Sequence, residues 1–73
     1  MDNLQNTSLV EKRICIYAKD IQLLTGKSER YARKVVAEVR QHYSKSKSQL
    51  LTIKEFCDFM HLDEQEVKKA IVN

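Results

Sequence analysis

Seventy-three residues suffice for one small domain, and a chain of that length hides only about 60% of its unfolded surface, too little to enclose a large catalytic cavity. One glycine (Gly26) and no proline exclude a turn-rich β-sandwich, a disulfide knot, collagen and a proline-rich linker. The formal charge of +3 is unevenly spread: residues 1–26 are neutral, residues 27–48 carry +5 and residues 49–73 carry −2, so the basic middle suits a polyanion.

Leu, Ile, Val and Phe make up 20 of the 73 residues, enough to build a core, and the composition favours a soluble, mainly α chain. Cys15 and Cys57 lie 42 residues apart, with no CxxC. No apolar run approaches the roughly 18 residues of a membrane span, and no signal-peptide core opens the chain. The expectation is a cytoplasmic protein with both thiols reduced and buried.

Residues 1–8 are polar, lack periodicity and read as a flexible tail, with a single domain over residues 9–73. The β-branched run Arg13–Tyr17 reads as a short strand. A helix is the other reading, because Val10, Ile14 and Tyr17 share a helical face and Ser8-x-x-Glu11 fits a capping box. Ala18–Thr25 then carries a helical pattern that stops at Gly26, where a left-handed residue can close a helix without a Cβ penalty. Ser28 offers an N-cap hydroxyl, and Ala32, Val35, Val36, Val39 and Tyr43 recur at helical spacing to about residue 43.

A first unit thus spans residues 16–43, a basic linker residues 44–50 and a second unit residues 51–73. In the second, Thr52-x-x-Glu55 is a capping box, and Ile53, Phe56, Cys57 and Met60 form an apolar helical stripe. Asp63-x-x-Glu66 reads as another capping box, before Val67, Ala70 and Ile71 on a fourth helix. With an offset of 35 and no gap, Asp20 meets Glu55, Ile21 meets Phe56, Ser28 meets Asp63 and Arg33-Lys34 meets Lys68-Lys69. The expected fold is two tandem helix-turn-helix-like hairpins, about four helices, with a short β pairing of residues near 13–16 and 49–51. A tetratricopeptide array, also of period near 35, needs a longer first helix and more copies.

A short helix, a turn holding a glycine and a longer capped helix outline a helix-turn-helix. Ile21, Ala32 and Val35 stand where the two helices must cross. On the second helix, Glu29, Arg30, Arg33, Lys34 and Ala37 lead the exposed face and Arg40 continues it. Arginine can grip guanine O6 and N7 with two parallel hydrogen bonds. Lys27, Lys45 and Lys47 flank the helix as candidate phosphate contacts, with Ser28 at its cap.

The stretch Ile16–Arg30 resembles the helix-turn-helix opening of excisionase and MerR-type DNA-binding domains, and Leu51–Asp63 resembles a second opening of the same kind. The resemblance covers residues 16–36 and 51–72 and implies major-groove contact from Glu29, Arg30, Arg33 and Lys34. It departs from the family's pattern at Lys27, where an apolar residue usually packs the turn into the core. The second copy keeps that residue as Leu62 but places His61 at the glycine position.

His42 and His61 stand alone, so no metal site is expected. No catalytic arrangement emerges and no cofactor is implied. The leading expectation is therefore a double-stranded DNA-binding regulator or excisionase-like accessory factor that inserts the 28–43 helix into the major groove. A homodimer or a partner would engage the second unit near Phe56, Phe59 and Met60. The rival is a helical protein–protein interaction module, such as an antitoxin, co-regulator or adaptor, that binds no nucleic acid.

Overall fold

The structure, a computed structural model, describes residues 13–71. The expected tail and the Ser8/Glu11 box lie outside the described residues. The chain runs β1 (Cys15–Ile16), α1 (Ala18–Thr25), α2 (Glu29–His42), β2 (Leu51–Thr52), α3 (Ile53–Met60) and α4 (Glu64–Ala70). This is the expected mainly α arrangement of two helical hairpins joined by a small antiparallel ribbon. No helix among the described residues is long and apolar enough to cross a membrane.

Each helix begins and ends for a local reason. At α2 the Ser28 hydroxyl accepts the Tyr31 N–H, satisfying one of the donors left bare at a helix start. At α3 the cap is reciprocal, with Thr52 Oγ1 accepting from the Glu55 N–H and Glu55 Oε1 from the Thr52 N–H. Asp63 caps α4 by a different route: its carboxylate takes the Gln65 N–H, and Glu66 stays exposed instead of closing a box. Gly26 ends α1 at φ +70°, its N–H returning to the Gln22 carbonyl.

His61 ends α3 in the same left-handed conformation, at φ 59° and ψ 46°. The Leu62 N–H reaches back to the Cys57 carbonyl and satisfies the last turn. A side chain at that geometry carries a steric penalty that glycine lacks. His61→Gly should therefore stabilise the protein by about 0.5–1 kcal/mol, and Gly26→Ala should destabilise it by a similar amount. Urea titration followed by circular dichroism reads both, and opposite signs are the expected outcome.

The core is shared by all the elements. Ile21, Ala32, Val39 and Phe56 are fully enclosed, and Ile16, Val35, Leu51, Ile53, Cys57, Val67 and Ile71 complete it. The crossing residues Ile21, Ala32 and Val35 are all buried where α1 meets α2, as their spacing requires. Cys57 is buried, and burial, aided by nearby carboxylates, pushes its thiol pKa up and makes it unreactive. Cys15 is also free but only half-buried, because β1 lies at the edge of the core.

The internal repeat is structural as well as sequential. α1 and α3 have equal lengths and are offset by 35 residues, and α2 and α4 start 35 residues apart. Ile16 pairs with Leu51 in the ribbon, so the two repeat-equivalent residues face each other. Cys15 pairs with Thr52, the register expected of two strands related by a local twofold.

Two basic side chains close the frame. Arg13 contacts the Asp20 carboxylate and donates to the Cys15 and Ile71 carbonyls, both at 3.1 Å. Asp20 also accepts the Tyr17 N–H at the start of α1. In the other half, Lys45 holds Glu55, the matching carboxylate at the third position of α3.

Candidate nucleic-acid interface

α2 divides along its length. Ala32, Val35 and Val39 turn into the core, while Arg30, Arg33, Lys34 and Ala37 are exposed. At 100° per residue, Arg30, Lys34, Ala37 and Gln41 fall opposite the buried stripe. Arg33 and Arg40 fall on the flank that faces the β1–β2 ribbon, where they line a groove with Val36 and Ala37. No side chain in the exposed row supports the core, so this face is available to a ligand.

The remaining candidates sit around this face. Lys27 is exposed in the turn, its ammonium 5.5 Å from the centre of the Tyr31 ring. Ser28 spends its oxygen on the helix cap. Glu29 is bridged to Arg33 at 2.6 Å across one helical turn, both side chains standing well into solvent. Such a pair is worth little and exchanges readily for another anion. Arg40 is half-buried, its Nε 3.4 Å from the Gln49 carbonyl, and Lys47 is exposed in the linker.

Lys45 is the exception. Its Nζ lies 2.6 Å from Glu55 Oε1 and 2.5 Å from the Leu50 carbonyl, with its side chain only 15% exposed. It fastens the linker to α3 and is not free to meet a phosphate. Only the capping-box glutamate signalled this in the sequence, since its carboxylate stands ten residues on from Lys45 and lies half-buried in the fold.

Burial alone would raise the Glu55 pKa. The Lys45 ammonium and the Thr52 N–H and hydroxyl outweigh it and hold the carboxyl below its ordinary value. A carboxylate depressed in the folded state adds stability above its unfolded pKa, and that stability is lost as the pH falls through the folded pKa. Glu55→Gln should therefore destabilise the protein by about 1 kcal/mol at pH 7 and flatten the acid limb of stability against pH. Urea unfolding from pH 7 downward measures both effects. Parallel curves for the two proteins would show that Glu55 contributes no proton linkage.

The second unit is a weaker copy of the first. Glu64 and Lys68 stand 3.5 Å apart, repeating the Glu29–Arg33 pair, and Gln65 and Lys69 occupy the places of Arg30 and Lys34. Phe56 is fully enclosed, and Phe59 and Met60 are packed against the core, so Phe56 takes no part in any exposed partner surface. His42 sets its ring edge against Phe59 at 5.3 Å and so helps seat α2 on α3. The exposed apolar residue of this region is instead Leu62, at 44%, beside Met60 and the α1 residue Leu24. Leu62 does not pack its turn into the core as the family pattern implied. Among the described residues, no three His, Cys, Asp or Glu side chains converge as a metal site would require.

Compared with protein-family models, with curated proteins and with solved structures, the chain finds no match.

Proposed function

We propose that this protein binds double-stranded DNA through α2, as a transcriptional regulator or an excisionase-like accessory factor in the cytoplasm. One observation carries the reading: Arg30, Lys34 and Ala37 form an exposed row with no part in the core, with Arg33 exposed on its flank, on the one long helix of a +5 segment. Helices of this kind enter the major groove by their first turns, and the small Ala37 permits close approach and contact with a thymine methyl. In this reading the exposed Lys27 and Lys47 meet backbone phosphates on either side of the helix. The resemblance of Ile16–Arg30 to excisionase and MerR-type openings supports the same assignment. Neither catalysis nor a cofactor has a part in it.

One helix makes few contacts, so useful affinity calls for a second copy or a partner bound to an adjacent half-site. Fluorescence anisotropy with a labelled duplex across a salt series tests the reading. Displacement of several phosphate counterions gives a steep fall in affinity between about 50 and 200 mM salt. Flat, negligible binding at low salt would refute it.

A second reading, a protein-interaction module, draws on the apolar shelf of Leu24, Met60 and Leu62 beside Asp63 and Glu66. A partner with a basic, apolar face would suit that shelf. It ranks second because the shelf lacks a counterpart to the ordered cationic row of α2.

A further inference from the structure

Glu29 is an acid in the place where a DNA-binding helix has least use for one. It opens α2 ahead of Arg30, Arg33 and Lys34, and it and Glu38 are the two acids among residues 27–48. Glu38 lies about two and a half turns further along, away from the leading end of the helix. The Ser28 cap fixes the first turn, and the Glu29 side chain stands 60% exposed with its Oε2 2.6 Å from an Arg33 nitrogen. A carboxylate so placed favours the helix start, yet it repels every phosphate that approaches. Arg33 is 73% exposed, so a phosphate can take it over and leave Glu29 an acceptor without a donor.

We propose that Glu29 is a base reader whose target is the exocyclic amine of a cytosine. The proposal rests on the reading of α2 as the major-groove helix and assigns part of the sequence that helix selects. The major-groove edge of DNA offers two donors, cytosine N4 and adenine N6. Adenine sets its N7 acceptor beside N6, so a carboxylate that reaches the amine also meets a lone pair. Cytosine has only a C–H there, and its N4 donates to a carboxylate unopposed. On engagement Arg33 exchanges Glu29 for a phosphate, and the released carboxylate accepts from N4. Opposite guanine or thymine Glu29 meets only acceptors or a methyl group, so one residue favours one base and opposes the others.

Selection from a pool of random duplexes by the full chain, read by sequencing, is the test. The wild-type protein should enrich duplexes with one position fixed as cytosine, at about tenfold discrimination against the other bases. Glu29→Gln should move that one position to adenine, because a side-chain amide matches the N6 donor and the N7 acceptor together. The same variant should bind unselected duplex about threefold more tightly, since a repelling charge has gone. Glu64→Gln, the same change at the matching place in the second hairpin, should leave the selected sequence as it was. Both carboxylates are surface groups, and far-UV circular dichroism and the urea midpoint report whether each variant is folded.

The same enriched sequence for the wild type and Glu29→Gln would overturn the base reader, leave the helix reading standing and reduce Glu29 to a helix-start charge. So would an enriched sequence with no fixed cytosine, or duplex binding that enriches no sequence. An equal change of sequence in Glu64→Gln would also overturn it, as a response to net charge. A wild-type protein that fails to bind duplex at low salt would remove both readings together.

Discussion

Phe56→Ala should destabilise the protein by about 3–5 kcal/mol and lower its thermal midpoint by roughly 15–30 °C. Phe56 is the largest fully buried side chain, and it occupies in the second hairpin the place Ile21 holds in the first. Its removal takes a ring out of water-free packing and leaves a void that so small a core cannot close over. A domain of this length has a total stability of about 4–11 kcal/mol, so the variant should be partly unfolded at 37 °C. Phe59→Ala, at a half-buried site on the same helix, should shift the midpoint much less. Thermal unfolding followed at 222 nm distinguishes the two. Equal, small shifts would mean that Phe56 is not the keystone its burial implies.

Arg33→Glu combined with Lys34→Glu should weaken duplex binding on the order of a hundredfold at 100 mM salt and flatten the salt dependence. Each reversal removes a cation from the interface and sets a carboxylate against the phosphates. Both side chains are exposed, so the direct effect on stability is within about 0.5 kcal/mol. A further few tenths come from placing a second carboxylate one turn after Glu29. The matching change in the second hairpin, Lys68→Glu with Lys69→Glu, serves as the control and should leave affinity nearly unchanged. Equal losses in the two double variants would show a response to net charge alone, and α2 would lose its claim.

Much of the fold was legible because its punctuation is local. Gly26, Ser28 and the Thr52–Glu55 box act within one helical turn of the boundaries they set, and α1, α2 and α3 fall where those residues place them. The 35-residue offset was equally plain, although the pairing of Ile16 with its own counterpart Leu51 emerged only in three dimensions. What escaped depends on reach across the fold. Lys45 resembled a linker cation free for phosphate until its chain was seen folded back onto Glu55. Leu62 and Phe56 are both apolar on neighbouring turns, yet only the tertiary packing decides that one is exposed and the other enclosed. The groove between α2 and the ribbon was invisible for the same reason, since Tyr17 and Leu50, which line it, lie 33 residues apart in the chain.

Arg13 has a topological consequence. Its guanidinium spans 58 residues of sequence to reach the Ile71 carbonyl while also gripping Asp20 at the start of α1. The backbone at 13 and at 71 is thereby held within one side chain's length, and the path from strand to last helix is nearly a ring. A ring can be cut elsewhere: a short peptide joining these two points would make the order of the hairpins interchangeable, with the linker between α2 and β2 as the new opening. The two halves would then meet through the same ribbon and the same core, in reversed order along the chain.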